Sequence, residues 1–271
     1  MIRGSFLFIE REYEMKTVLI TGATSGIGEE FARCYAKMGY KLILVARRVN
    51  RMEALERELY NQYQTECRII EADLSSEDAC KALLLQLENE KIDLFINNAG
   101  FGTCGPFMET NLDKEIAMIH VNDIAMHILF KGMLIQMQKQ GTGAILNVCS
   151  SAGLLPGGPY MATYYATKAY MVSLTRAVRR ELKEAHSQIT VSALCPGPVD
   201  TEFNQNADVA FSLKGISTKK CVASAIKGIN RGKLIIVPGL TMKLATFFSG
   251  LLPKSGQVAV TGHQQKKKIY N

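Results

Sequence analysis

The sequence predicts an α/β fold: one domain built on a doubly wound parallel sheet of about seven strands with helices on both faces. Three observations carry this expectation. From Lys16 onward, short β-branched apolar runs alternate with longer segments of helical spacing, the pattern of strands buried on both faces beneath crossover helices. A glycine-rich turn follows the first such run. The chain's 271 residues, 47% hydrophobic and 21% charged, suffice to hide about three quarters of the unfolded surface in one core, with no disulfide or metal staple.

Strands are expected at 17–21, 41–46, 67–72, 92–97, 144–150, 189–195 and 234–237, each a short run such as Thr17-Val18-Leu19-Ile20-Thr21 or Leu42-Ile43-Leu44-Val45. Helices are expected at 27–38, 51–63, 76–89, 111–139, 160–185 and 218–230, where Leu, Ala, Met and Ile recur at three and four. Residues 1–14 precede the first strand and read as a dispensable extension. The domain proper runs over 15–240, with an aperiodic segment at 201–217 as its mobile substrate loop. Residues 241–271 form a basic C-terminal segment whose start, 241–252, reads as a short apolar helix closing the pocket or a subunit contact.

Net charge is +7, yet residues 209–271 hold 11 Lys and Arg and no acid, so the first 208 carry 21 basic against 25 acidic side chains. Such a segment suits a solvated face, an anionic substrate or weak peripheral contact with a membrane surface. No aromatic-basic interleaving or recognition-helix pattern supports nucleic-acid binding. No run of about 18 uninterrupted apolar residues is present, and Phe6–Ile9 is too short for a signal peptide. Neither export nor a transmembrane segment is expected. The seven cysteines are scattered, with no C-x-x-C pair, so neither a metal site nor a disulfide framework is suggested and a reducing, cytoplasmic setting fits.

The turn after the first strand reads Thr21-Gly22-Ala23-Thr24-Ser25-Gly26-Ile27-Gly28. Glycine lets the backbone turn sharply and approach a pyrophosphate closely, and the helix that follows offers free N–H groups and a partial positive charge. Its G-x-x-x-G-x-G spacing differs from the common dinucleotide fingerprint, and glycine turns also serve plain strand-to-helix packing. At the end of the second strand, where a carboxylate would bind the ribose 2′-hydroxyl of NAD, stand Ala46-Arg47-Arg48. A guanidinium fork prefers phosphate, so Arg47, helped by Arg48, is the candidate for the 2′-phosphate of NADP(H). Two solvated arginines opening a helix are the alternative.

Tyr164 and Lys168 stand four residues apart in a predicted helix, on one face. A free phenol ionises near pH 10, and bringing it to about 7 takes about 4 kcal/mol of preferential phenolate stabilisation, which a neighbouring ammonium can supply. Tyr160 and Tyr165 lack a lysine at that offset.

Taken in order over residues 16–202, these pieces resemble the short-chain dehydrogenase/reductase family. The resemblance rests on the glycine turn, Asp73-Leu74, Asn97-Asn98-Ala99-Gly100, Asn122, Ser150-Ser151, Tyr164-x-x-x-Lys168 and Pro196-Gly197-Pro198-Val199-Asp200-Thr201. It implies a Rossmann-type fold and an oxidoreductase with Tyr164 as general acid/base, Lys168 as its pKa modifier and ribose ligand, and Ser151, thirteen residues before Tyr164, holding the substrate oxygen. Ser150 is then structural, because adjacent strand residues point to opposite faces. Asn122 would fix a water chain to Lys168, or else cap a helix irregularity. For the cofactor the resemblance implies Gly22, Thr24, Ser25, Gly26, Ile27 and Gly28 at the phosphates, Asp73 and Leu74 at adenine, the Asn98-Ala99-Gly100 backbone along it, and Pro196, Gly197, Val199 and Thr201 at the carboxamide.

Phe101, Gly102, Phe107, Met108, Leu154, Leu155, Pro156 and Met161 are expected around the carbonyl, an apolar lining suited to a lipid-like ketone or secondary alcohol. The branch resembled includes hydroxysteroid dehydrogenases and 3-oxoacyl reductases, so bile-acid-type steroids and 3-oxoacyl thioesters lead. The resemblance also implies a homodimer or homotetramer formed through the long helices. A non-catalytic dinucleotide-sensing protein is the competing reading, which the intact Tyr, Lys, Ser and Asn set argues against.

Overall fold

The structure is a computed structural model and describes residues 15–203 and 215–266. Seven parallel strands, β1 (Thr17–Thr21), β2 (Lys41–Ala46), β3 (Cys67–Glu71), β4 (Leu94–Asn97), β5 (Gly143–Val148), β6 (Ile189–Leu194) and β7 (Ile235–Ile236), lie in the order β3-β2-β1-β4-β5-β6-β7. The chain starts mid-sheet, winds outward to β3, then crosses back to set β4 beside β1. That reversal opens a crevice at the carboxyl ends of β1 and β4, where doubly wound sheets bind ligands.

The helices are α1 (Gly26–Lys37), α2 (Val49–Tyr63), α3 (Glu77–Gln86), α4 (Leu112–Ile119), α5 (Met126–Gln140), α6 (Ala162–Glu184), α7 (Thr218–Ile229), α8 (Leu240–Ser249) and α9 (Lys254–Lys266). Side-chain caps fix several starts: Ser76 accepts from the Ala79 N–H, Asn111 from Lys114 and Ser217 from Lys220. Each strand feeds both faces of the sheet. In β1, Leu19 joins the core cluster with Phe95, Ile145 and Met133, whereas Val18 and Ile20 join Phe31, Leu44 and Val222 on the other side.

All seven expected strands are present, β1 and β2 with the expected bounds and the rest with ends moved by one or two residues, and the expected helices form with shifted ends. The single helix expected over 111–139 is broken: α4 and α5 are joined by a π-helical turn, His120–Ala125. By length and composition the run Leu112–Gln140 could cross a membrane, but it packs on β4, β5 and β6 and buries Asn122, Met126, Phe130 and Met133. Helix α9 was not foreseen. It packs Gln265 into the interior, where its Nε2 donates to the Tyr165 hydroxyl at 2.7 Å, so residues 241–266 belong to the domain rather than trailing from it. Most of the expected 201–217 loop, and residues 1–14, lie outside the described residues. The loop's two ends are tied by a parallel bridge between Val199 and Ile216, with Asp200 N–H donating to the Ile216 carbonyl at 3.1 Å. Among the described residues no disulfide joins any of the seven cysteines.

Candidate active site

One cleft of about 670 Å³ runs from the glycine turn to Tyr164 across the carboxyl ends of β1, β4, β5 and β6. At its glycine-turn end Gly22 takes φ +65°, a conformation L side chains rarely adopt, and a Cβ there would lie 2.9 Å from Asn98 Nδ2. A Cβ on Gly28 would be driven into the Gly22 carbonyl oxygen. The turn is therefore a backbone cradle with no room for side chains. Ser25 caps α1 without a side-chain cap bond and lines the cleft.

The cradle is braced from β4. Asn98 Nδ2 donates to the carbonyls of Thr21 at 2.9 Å and Gly22 at 3.2 Å, while the N–H groups of Asn98 and Ala99 donate to Thr21 Oγ1. Thr21, absent from the expected site residues, is thus the pin that joins the two strand ends. A threonine at the last residue of the first strand is the only sequence signal for it.

Arg47 and Arg48 stand on the cleft wall in different situations. Arg48 donates from Nη2 to Thr24 Oγ1 at 2.9 Å and pairs with Glu202 at 3.3 Å, and Arg51 joins the same carboxylate at 2.8 Å. These guanidinium groups hold the Glu202 carboxyl below the usual range. Arg47 lies near Asp73, whose carboxyl is lowered first by the Ser75 backbone N–H and, to a smaller degree, by Arg47. Asp73 and Leu74 both line the cleft, as do Gly100, Pro196, Gly197, Val199 and Thr201. Arg51 and Glu202 do not line the cleft but hold Arg48 from outside it, a tie that only spatial proximity reveals.

At the other end, Tyr164 is buried against Phe203, with ring centroids 5.4 Å apart. Lys168, one turn on, is also buried; its Nζ donates to the Val148 carbonyl at 3.3 Å and lies 5.8 Å from the Tyr164 ring centroid. The two therefore share a helix face and meet the cleft together. The expected electrostatics differ, however. Burial pushes the Tyr164 phenol well above its ordinary range, and burial likewise lowers Lys168. The ammonium is itself destabilised by desolvation and is directed at the Val148 carbonyl.

Both serines of the pair reach the cleft. Of the two, Ser150 is the one whose hydroxyl opposes the burial-driven rise of the Tyr164 phenol. Strand alternation does not reach this pair, because β5 ends at Val148. Ser150 is the extended N-cap of a 3-10 turn, Ser151–Leu154, and accepts from the Ala152 N–H at 3.1 Å. Ser151 opens the turn, its N–H given to the Pro196 carbonyl at 2.8 Å, and it too reaches the cleft.

Asn122 sits in the π-turn. Its Oδ1 accepts from the Phe101 N–H at 3.0 Å, and its Nδ2 donates to the Phe101 carbonyl at 2.9 Å and to Thr167 Oγ1 at 3.1 Å. A Cβ on Gly100 would lie 2.8 Å from Asn122 Oδ1 and 3.2 Å from Lys168 Nζ, so these three residues converge. Beside them Asp123 is pushed up to about 7 by burial, against the charge of Lys168.

The expected apolar wall is half right. Phe101, Leu155 and Met161 line the cleft, and Gly102 packs on Phe203 and Tyr164. Phe107, Met108, Leu154 and Pro156 do not line it: Met108 is 96% exposed on the turn closed by Glu109 N–H to the Pro106 carbonyl, and Leu154 packs on the core. Their places are taken by Tyr165, Phe203, Met242, Gln264 and Gln265, from elements distant in sequence.

A cradle of this kind, with a tyrosine and lysine one turn apart on the same crevice, defines a dehydrogenase of the dinucleotide-binding α/β class. The chain belongs to the short chain dehydrogenase family, whose pattern it matches over residues 16–210. A Schizosaccharomyces pombe relative named NADP-dependent 3-hydroxy acid dehydrogenase is 35% identical over 196 residues, 70% of this chain and 73% of that one. A 7beta-hydroxysteroid dehydrogenase of Mediterraneibacter gnavus is 30% identical over 65% of this chain and 66% of its own length. Among solved structures, a short-chain dehydrogenase from Sphingobium yanoikuyae in complex with NADPH is similar at TM-score 0.78 and 31% identity, covering 88% of this chain and 95% of that one.

Proposed function

We propose that this chain is an NADP(H)-dependent oxidoreductase that interconverts a secondary alcohol and a ketone on an apolar, lipid-like substrate such as a hydroxysteroid or bile acid. The observation that carries the reading is the meeting of Tyr164, Ser150 and Lys168 on the cleft that begins at the glycine cradle. The cradle and the α1 N-terminus fit a pyrophosphate, because Gly22 and Gly28 leave backbone N–H groups uncovered by side chains. Arg47 and Arg48 fit a 2′-phosphate, Asp73 and Leu74 the adenine, Lys168 and Tyr164 the nicotinamide ribose, and Pro196, Gly197, Val199 and Thr201 the carboxamide. Bound there, the nicotinamide supplies or accepts the hydride.

The chain's own part is proton handling and exclusion of water. In reduction, Ser150 donates a hydrogen bond to the carbonyl oxygen and Tyr164 gives that oxygen its phenolic proton, so the carbon gains a hydride and the oxygen a proton in one transition state. A phenol kept neutral by burial is in the form the reduction step needs. Lys168, with Asn122 behind it, returns a proton to Tyr164. Phe101, Leu155, Met161 and Phe203 desolvate the carbonyl. The relatives' names support a hydroxysteroid or 3-hydroxy acid skeleton.

The second reading, a 3-oxoacyl thioester reductase, is favoured by the acid-free basic segment over 209–271, which suits an anionic carrier. We place the protein in the cytoplasm as a homodimer or homotetramer formed through the long helices, with no nucleic-acid partner. The test is NADPH oxidation by the purified chain over a panel of oxo-steroids, oxo-bile acids, 3-oxoacyl thioesters and small ketones, with Tyr164→Phe as control. Turnover of an oxo-steroid, lost in Tyr164→Phe while NADPH still binds, supports the reading. Turnover that survives Tyr164→Phe overturns it.

A further inference from the structure

Helix α8 presents its apolar side to solvent. Leu240, Leu244, Phe247 and Phe248, with Leu251 just past its end, recur at helical spacing and form one stripe. Their exposures are 71, 47, 68, 57 and 72%. The opposite side of the helix faces the protein. There Met242 walls the cleft and packs on Gly197, where a Cβ would lie 2.6 Å from Met242 Cγ. A surface helix ordinarily turns its apolar stripe inward, so this one is built for contact on both sides.

The charge around the stripe says what meets it. Lys243 within α8 and Lys254 at the start of α9 are exposed beside it, and the whole segment from 209 to 271 has no acidic residue. A second copy docked by the same face would oppose two acid-free basic surfaces, and like charges across an interface are repelled. An anionic bilayer supplies both an apolar interior for the leucines and phenylalanines and negative headgroups for the lysines. At ten residues, α8 rises about 15 Å, half the hydrocarbon thickness, so it lies on a bilayer rather than through it.

We propose that α8 and the turn through Leu252 are a membrane-surface docking element for anionic lipid, which seats the mouth of the cleft against the bilayer. The inference stands apart from the reaction proposed above; what it adds is a source for a lipid-like substrate, drawn from the membrane past Met242.

The test is co-sedimentation of the full chain with phosphatidylcholine vesicles containing or lacking phosphatidylserine, at low and high salt. Binding is expected to require phosphatidylserine and to weaken with salt. Phe247→Ser with Phe248→Ser, and separately Lys243→Gln with Lys254→Gln, should each lower partitioning about tenfold while leaving the thermal midpoint and NADPH oxidation in solution unchanged. No binding to phosphatidylserine vesicles, or binding indifferent to both pairs of substitutions, overturns the proposal. So does a dimer that the phenylalanine pair dissociates in sedimentation velocity, which would assign the stripe to a second copy.

Discussion

Lys168 Nζ donates to the Val148 carbonyl at 3.3 Å and lies 5.8 Å from the ring centroid of Tyr164, with both side chains buried. The lysine is anchored to the end of β5 and held beside the phenol rather than bonded to it. Burial dominates both groups, raising Tyr164 and lowering Lys168. The pair therefore stores a proton on the tyrosine.

That arrangement sets the pH dependence of the two directions. Reduction needs the neutral phenol, so its rate should stay level through neutral pH and fall only in the strongly alkaline range. Oxidation needs the phenolate, whose fraction grows about tenfold per pH unit below the phenol's pKa. Initial rates in both directions from pH 6 to 10 check this; an oxidation rate already level at neutral pH would show that the phenol ionises there.

Ser150 is the serine whose hydroxyl opposes the rise of the Tyr164 phenol, and the reading proposed above gives it the substrate oxygen. Ser150→Ala should lower kcat about a hundredfold, the loss typical of one oxyanion-stabilising donor. Ser151→Ala should change it by no more than a few-fold, since what that residue visibly contributes is its backbone N–H to Pro196. The reverse ranking would restore the serine chosen on spacing.

Arg47 faces the cleft near Asp73, whereas Arg48 is tied to Thr24 and Glu202. Arg47→Asp should raise KM for NADPH about a hundredfold, the cost of losing a charge-assisted bidentate partner and adding a like charge, with NADH gaining. Arg48→Ala should also lower the thermal midpoint by loosening the Thr24 turn. Equal use of NADH and NADPH by the unaltered chain would remove the argument.

Asp123 is pushed up to about 7 by burial, from an ordinary 3.8, with Lys168 opposing the shift. A carboxyl that holds its proton longer folded than unfolded makes the folded state lose stability as pH rises from about 4 to 7, levelling above that. Asp123→Asn should flatten this slope and raise the thermal midpoint at pH 8 by about 2–4 °C, as thermal melts across pH would show. A pH-independent difference between the two proteins would point to packing instead.

How much was legible follows from how far each feature reaches along the chain. The irregularity at Asn122 was legible only as an alternative, because helical periodicity runs on through His120–Ala125; what fixes it is the bonds Asn122 makes to Phe101, on another element. Met108 and Phe107 looked like pocket wall by composition, but the 106–109 turn sends them outward. Helix α9 carried too weak an apolar period to be seen, yet it brings Gln265 to Tyr165 across a hundred residues of sequence.

By itself the sequence determined the doubly wound sheet, its seven strands, the glycine turn, the two arginines after β2 and the shared face of Tyr164 and Lys168, because each depends on contacts within one strand, one turn or one helix. Only the tertiary structure decided which way burial drives the phenol and the amine, how Thr21 and Asn98 pin the cradle, and that α8 faces its apolar stripe outward. Those depend on what desolvates a group from the far side, and a side chain's neighbours across a cleft leave no period in its own segment.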